Sequence, residues 1–563
     1  MYLRIYYMGY RAFQIDEFEH AYSSFLIAEG DVIYRDFFQQ HTPLFYLIFQ
    51  CVFLVFKSSV EAMFACRFLV FLLYLGINIF TFKIANKLFD WRSAIFSVIQ
   101  LNLCVAFFLR SYEVRTIILS SFFLMVSIFY LLSYYKDSSR FNLYFSGITL
   151  CLCFISDTKG ILFLPIFYVV LLVDLIKKRQ IKRNIKQCIA YTSSFLMPFM
   201  ILCMYFYYNN ALIDFYINCF NYIYHWLAES NSVVHVKLSV STFKVLSNAF
   251  FQNFLMVIFL FLGIKVNFSK FYNDQQLQYL FLCTIIGFYG LFFLNRGPWE
   301  YNFILITPLL AIWCGNSMAL IFNQCLENKK SLVTLFIIIT TIISGFYFPF
   351  NTIQNYLNIT NEYQLGIMEF FNSIQDKKNY ICDFSGIGFK KRFHHFANMY
   401  GVPIPIVYSG LDRYKKNYAG LAEIVKNAEC KIIFHCYRYN NAFQIEKFNK
   451  FVKSNFIYIT KHIAFAGKII NASQKSFELF ASANYRISSI NKNKKNLTAE
   501  TSIFIDNIPV KNRIYLKKGK HIVGLSENIN SIEITYSPEK MNISVLDNLK
   551  LLQLYYPMFY PTM

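Results

Sequence analysis

Long apolar runs fill residues 43 to 350 and then stop. Stretches able to cross ~30 Å of hydrocarbon fall near 63–86, 93–109, 113–134, 141–156, 160–176, 188–208, 248–264, 276–294, 302–322 and 331–349, so about ten spans are expected. The apolar run 43–57 is short for a crossing and reads as a helix lying along the membrane surface. From about 378 the period changes. "YICDFSG", "VPIPIVYSG", "CKIIFHC" and "FIYIT" read as strands, separated by helices near 390–399, 416–428 and 441–453, which is a small α/β unit. After 464 the chain becomes a series of short strands, "YRISSI", "TSIFIDNIPV", "NRIYLKKGKHIVGL" and "SIEITYS", with turn signals such as "KKGK", a β-sandwich-like pattern.

This patterning divides the chain into four parts. Residues 1–62 form a first loop with interfacial helices, 63–350 a transmembrane domain, 351–463 an α/β unit and 464–563 a β-rich module. Composition agrees: of 563 residues, 56% are hydrophobic and 15% charged, where a soluble domain carries roughly 25%. The expected class is a polytopic α-helical membrane protein. The net charge of +22 is scattered among apolar residues, apart from the cluster "IKKRQIKRNIK" between two spans. That placement reads as a cytoplasmic loop rather than a nucleic-acid surface. The 14 cysteines fall mostly singly inside apolar runs and form no CxxC pair, so neither a disulfide framework nor a zinc site is implied. "GIGFKK" is the one phosphate-loop candidate of the tail, and it lacks both the GxxxxGK[ST] and the GxGxxG spacing.

Counting basic residues in alternate loops gives sidedness. One set holds Lys87 and Arg92, Lys136 and Arg140, the run from Lys177 to Lys186, Lys265 and Lys270, and Lys329 and Lys330. This set is assigned to the cytoplasm, which places everything after residue 350 outside. It also brings the first loop, "RSYEVR", "SDTKG", the 209–247 loop and "NRGPWEY" to one extracytoplasmic face. Charged groups cost ~2.5–3.5 kcal/mol each at a helix centre, so these lie at span ends or around a wet cavity and share one site. The opening "MYLRIYYMGYRAFQI" holds two arginines and no apolar run of ~20 residues. It is neither a span nor a signal peptide, and a truncated or misassigned start is the expectation.

The first loop is dense in ionisable groups: "IDEFEHAYSSFLIAEGDVIYRDFFQQHTPLFYLI" carries six carboxylates and two histidines. Each has an ordinary reading. Asp16 and Glu17 suit the first turn of a helix, and His20 would share the face of Glu17. Arg35 and Asp36 suit a surface turn, and Pro43 a helix start. Their coincidence beside cationic loops points instead to chemistry. For a sugar carried on a lipid phosphate, the phosphate is already a good leaving group and needs a cation to stabilise it. The acceptor hydroxyl needs a base. Arg115, Lys159 and Arg296 are candidates for the first task, and Asp16 or Glu17 for the second.

The same residues carry a resemblance. An acidic pair, a helix, then G-x-x-x-Y-R-D-F-F and H-x-P-L, met here by Asp16, Glu17, Gly30, Tyr34, Arg35, Asp36, His41, Pro43 and Leu44, resembles the first external loop of the GT-C superfamily. These are polyprenyl-phosphate-sugar glycosyltransferases, and the likeness is to the family 39 protein mannosyltransferase-like group and the lipid A aminoarabinose transferase. "SYEVRTIIL" is similar to a later E-x-R-x-D segment in Glu113 and Arg115, with Ile117 standing where the final acid is expected. "TKGILFLP", with Lys159, looks like a lysine-bearing loop of the family, and "WEYNFILITPLLA", with Glu300 and Tyr301, like its last catalytic-side loop.

The resemblance implies a GT-C fold with a C-terminal extracytoplasmic region, residence in the inner (plasma) membrane, and inverting transfer from a polyprenyl-phosphate-sugar donor. The acceptor would be a glycan, lipid or protein hydroxyl. Asp16 is then the leading base, with substrate contacts among His20, Tyr34, Arg35, Asp36, His41, Glu113, Arg115, Lys159, Arg296, Glu300 and Tyr301. Neither metal nor cofactor is implied. Two other classes also fit a charged membrane edge: a transporter or flippase of lipid-linked sugars, and an inactive membrane domain with a glycan-binding tail. Transporters build midplane sites from repeated, broken helices, whereas here the charges gather at one face and no halves repeat.

Overall fold

The structure is a computed structural model, and it describes residues 2–56, 58–178, 181–221, 246–250, 253–271, 274–294, 300–327, 359–374, 381–383, 385–389, 421–436, 445–490, 503–526, 529–538, 544–548 and 550. A short helix α1 (Tyr2–Tyr10) leads into α2 (Ile15–Ala28) and α3 (Leu44–Val55). The bundle follows: α4 (Ser59–Leu88), α5 (Trp91–Leu103), α6 (Val105–Arg110), α7 (Thr116–Asp137), α8 (Arg140–Ser156), α9 (Leu164–Lys178) and α10 (Ile181–Tyr208). After the short α11 (Leu212–Tyr216) come α12 (Phe254–Asn267), α13 (Gln275–Tyr289) and α14 (Phe303–Glu327).

Among the described residues, six helices are long and apolar enough to cross a membrane: Ser59–Leu88, Thr116–Asp137, Thr158–Lys177, Ile181–Tyr208, Gln275–Phe293 and Glu300–Gln324. The expected span 141–156 appears as the 17-residue α8, and 43–57 as the 12-residue α3. The span read at 93–109 is not one helix. The backbone extends at Cys104 (ψ 116°), ending α5 and restarting as α6, and Asn253 Oδ1 accepts from Val105 N at 3.1 Å in place of the lost helical partner. The span read at 331–349 lies outside the described residues.

Three of the basic loops lie together. Lys87 Nζ donates to Ser133 Oγ at 2.7 Å and Arg183 Nη2 reaches Ser138 Oγ at 3.5 Å, which gathers the basic loops at one end of the bundle. At the other end Arg115 pairs with Asp16 of α2, and Tyr301 lies against both Arg115 and Lys159.

Beyond the bundle, α15 (Glu362–Ser373) precedes β1 (Ile381–Asp383), α16 (Leu421–Asn427), β2 (Ile432–Phe434), α17 (Ile445–Asn455) and β3 (Phe456–Tyr458). Strands β4 (Ile463–Asn471), β5 (Ser476–Leu479), β6 (Ala483–Ile490), β7 (Ile503–Ile505), β8 (Ile508–Val510), β9 (Arg513–Leu516), β10 (Gly519–Leu525) and β11 (Ser531–Tyr536) follow. β1 and β2 are parallel, as an α/β unit requires, and the sheet runs β1-β2-β4-β11-β6-β9 with β3 also on β4. The long β4 pairs with β2 and β3 through its first half and with β11 through its second, so the α/β unit and the β-rich module share one sheet. A second sheet, β5-β10-β7-β8, covers it.

"TSIFIDNIPV", read as one strand, is instead the hairpin β7–β8. Asp506 (φ +53°) and Asn507 (φ +64°) form its turn, a left-handed pair that Asp and Asn tolerate. The strand expected at 402–410 and the helix at 390–399 lie outside the described residues.

Most of the buried apolar residues of helix α2 belong to the core of this outer region, while Ile27 joins that of the bundle. Phe13, Phe18, Tyr22 and Leu26 pack with Phe371, Ile387, Phe389 and Phe434. The loop after β1 is a wedge against α2. Asp383 accepts from Ser385 N (2.7 Å), Gly386 N (3.1 Å) and Gly388 N (3.1 Å), holding its turn closed. "GIGFKK" therefore opens on N–H groups already satisfied by a carboxylate, which suits packing rather than phosphate binding.

Candidate functional site

The start of α2 places the acidic pair. Gln14 sits at the N-cap with extended backbone, and Glu17 Oε1 accepts from Gln14 N at 2.9 Å, the reciprocal half of a capping box. Consecutive helical residues point about 100° apart. Glu17 therefore faces inward, fully buried, while Asp16 keeps 30% of its side chain exposed.

Asp16 Oδ2 lies 2.9 Å from Arg115 Nη1. Arg115 is the N-cap residue of α7, 8% exposed, and its Nε donates to Glu113 Oε2 at 2.7 Å. Glu113 Oε1 in turn accepts from Arg110 Nη1 at 2.8 Å, and Arg110 Nη2 reaches Glu300 Oε2 at 3.4 Å. The result is a chain of alternating charge from Asp16 to Glu300. Burial pushes the Glu113 carboxyl up, but Arg110, Arg115 and Arg11 outweigh it and hold the group below its usual range.

Tyr301 joins this chain to the lysine loop. Its ring centroid lies 4.7 Å from Arg115 Cζ and 5.9 Å from Lys159 Nζ. Lys159 Nζ is 3.0 Å from Asp157 Oδ1, and Asp157 Oδ2 accepts from Thr116 Oγ1 at 3.0 Å. Asp157 also caps the 3-10 turn Thr158–Phe163 through Lys159 N. Burial raises the Asp157 carboxyl, yet Lys159 and His41 draw it below the ordinary value.

The histidines lie alongside. Their rings sit 5.2 Å apart, and His20 Nδ1 is 2.9 Å from Tyr46 Oη. Burial lowers the His41 pKa to about 4, with Asp157 and Asp16 pulling up and Lys159 and Arg115 pushing down. The imidazole is neutral at neutral pH.

Other candidates make contacts within the protein. Tyr34 takes a left-handed backbone (φ +72°), is buried, and donates its hydroxyl to His41 O at 2.7 Å. Arg35 and Asp36 pair with each other at 2.8 Å, with Arg35 Nη1 donating to Asn209 O and Asp36 Oδ2 accepting from Val32 N. Arg296 lies outside the described residues. Two participants were missed in the sequence. Asp157 stood in the quoted "SDTKG" beside the chosen lysine, and Arg67 was hidden inside an apolar run, where an ionisable residue is itself a signal. Among the described residues no group of three or more His, Cys, Asp or Glu is placed to hold a metal ion.

Residues 40–207 match the family described as dolichyl-phosphate-mannose-protein mannosyltransferase. No curated protein sequence matches the chain. Among solved structures, apo ArnT from Cupriavidus metallidurans superposes with a TM-score of 0.55 at 8% identity, over 81% of this chain and 94% of that one. The same protein bound to undecaprenyl phosphate gives 0.52 at 10% identity, with the same coverage of both chains. The Archaeoglobus fulgidus oligosaccharyltransferase complexed with zinc and sulfate gives 0.49 at 12% identity, over 75% of this chain and 64% of its own length. The chain thus shares the fold of ArnT.

Proposed function

We propose that this protein is an integral membrane glycosyltransferase that moves a sugar from a polyprenyl-phosphate donor to an acceptor hydroxyl of the cell envelope, on the extracytoplasmic side of the inner membrane. The observation that carries this reading is the Asp16–Arg115 pair at 2.9 Å, with Lys159 and Arg115 flanking Tyr301. A partly exposed carboxylate stands beside fixed cations at the end of an apolar bundle. The binding of undecaprenyl phosphate by ArnT, a fold relative, supports the donor class.

In this reading the acceptor oxygen attacks the anomeric carbon from the face opposite the lipid phosphate. The new C–O bond forms as the old one breaks, and configuration inverts. The acceptor proton passes to Asp16, and the charge growing on the departing phosphate falls to Arg115 and Lys159. Glu17 is less suited to the base role because both of its oxygens are engaged in the interior.

The test uses purified protein in nanodiscs, a panel of undecaprenyl-phosphate sugars, and mass analysis of acceptors from the cell envelope. Covalent sugar transfer by wild-type protein, absent from Asp16→Asn, is the expected result. Movement of the donor across the bilayer without transfer would overturn the reading in favour of a flippase.

A further inference from the structure

Arg67 and Glu17 form a closed, solvent-free unit. Both side chains are 0% exposed. Arg67 Nη2 and Nε meet Glu17 Oε1 and Oε2 at 2.7 and 2.9 Å, a fork-to-fork pair. The other guanidinium donors reach Met8 O (2.8 Å), Arg11 O (2.9 Å) and Ala12 O (3.2 Å), so all five N–H groups of the fork are used. The cation also lies 3.8 Å from the Phe13 ring centroid. Glu17 is equally saturated, with Gln14 N at 2.9 Å on Oε1 and Val114 N at 3.1 Å on Oε2.

Those last two bonds place the unit. Glu17 is the residue after Asp16, and Val114 is the residue before Arg115. One carboxylate therefore ties the backbone that carries the base to the backbone that carries the cation, and Arg67 holds that carboxylate from α4. Burying a charge pair is costly unless every donor and acceptor is met, as happens here.

We infer that Glu17 and Arg67 are positioning residues that set the spacing between Asp16 and Arg115. The inference rests on the transferase reading above. The unit touches neither donor nor acceptor and acts through the two reacting groups, where a shift of about 1 Å costs on the order of 100-fold in rate.

The test compares Arg67→Lys, which keeps the charge but loses the planar fork, and Glu17→Gln, which keeps the shape but turns one acceptor into a donor. Each is assayed in nanodiscs with an undecaprenyl-phosphate sugar, and rates are expressed per folded molecule by size-exclusion recovery. The expected result is a kcat reduced about 10- to 100-fold with donor KM changed less than about threefold. In an Arg115→Lys background, Arg67→Lys should cost less than about threefold more, because the group it positions is already altered.

Wild-type kcat per folded molecule in both variants would overturn the positioning role while leaving the transferase reading intact. So would a loss that multiplies in full with that of Arg115→Lys, the signature of an independent structural defect. Wild-type protein that transfers no sugar from any donor in the panel would overturn both.

Discussion

Asp16 Oδ2 and Arg115 Nη1 stand 2.9 Å apart, and the two partners are unequally anchored. Arg115 is 8% exposed and tied to Glu113, whereas Asp16 keeps 30% of its side chain in contact with solvent. The carboxylate is thus the accessible member and the guanidinium the fixed one, which suits a base that meets an incoming hydroxyl. Asp16→Asn preserves size and one hydrogen-bond acceptor but cannot take a proton. Transfer should fall by about 100- to 10,000-fold, with unchanged yield of folded protein, as checked by turnover per molecule recovered from size exclusion.

Arg115 serves two acids at once, through Nη1 to Asp16 and Nε to Glu113. A lysine brings one charge to one point and cannot reproduce that fork. Arg115→Lys should therefore weaken the stabilisation of the departing phosphate by about one charge-assisted hydrogen bond, near 1.5 kcal/mol, which is about a tenfold fall in kcat/KM for the donor. Lys159→Ala should act in the same direction. Initial rates across a titration of donor settle it, and an unchanged kcat/KM would remove either cation from the site.

Much of this site was legible because its residues interrupt apolar runs. Glu113, Arg115 and Lys159 stand at the ends of spans, where a charge must have a reason, Asp16 stands in the charge-dense loop before the first span, and counting basic loops predicted one face for all four. The rest depended on tertiary facts. Cys104 breaks a span with neither Gly nor Pro to announce it, because Asn253 from a distant helix takes the freed N–H. Asp506 and Asn507 form a turn inside a run of β-branched residues that read as continuous strand. The different fates of Glu17 and Asp16 follow from which of two adjacent helical positions meets Arg67, a partner fifty residues away that looked like one polar interruption in a good span.

Arg67 is the more severe target for stability. Arg67→Leu would leave Glu17 as a buried charge without its counterion and free the carbonyls of Met8, Arg11 and Ala12. Breaking a buried pair from one side costs about 3–5 kcal/mol. The variant should lose several degrees or more of melting temperature in detergent. Glu17→Leu combined with Arg67→Leu should recover part of that loss, since no unpaired charge remains. A double variant less stable than Arg67→Leu would show that the pair stabilises beyond its mutual neutralisation.

His41 gives the protein an acid-side weakness. Its folded-state pKa is lowered by burial to about 4 from an ordinary 6.5. Between those values the unfolded chain binds a proton that the folded one refuses, so stability is full above about pH 6.5 and declines as pH falls toward 4. The melting temperature should drop between pH 7.5 and pH 5, and His41→Gln should flatten that drop. A variant with the wild-type slope would assign the acid sensitivity to other groups.

Gly386 is where the outer region grips α2, and it allows that grip to be loosened selectively. Its φ is +84°, and a Cβ there would meet Tyr22 Cβ at 2.7 Å and Phe18 O at 3.0 Å. Both contacts lie on the helix that carries Asp16. Gly386→Ala thus combines a left-handed backbone strain of about 1–2 kcal/mol with a clash against Tyr22 Cβ, an atom that no side-chain rotation can move aside. Gly519 supplies the control, because it too has positive φ (+137°) but nothing within 4 Å of the added atom. Gly519→Ala should cost the strain alone. Gly386→Ala should cost more, and hydrogen exchange should rise along Ile15–Ala28 in that variant and not in the control. Equal melting temperatures and equal exchange in α2 would mean that the β1 loop rests on the helix without holding it.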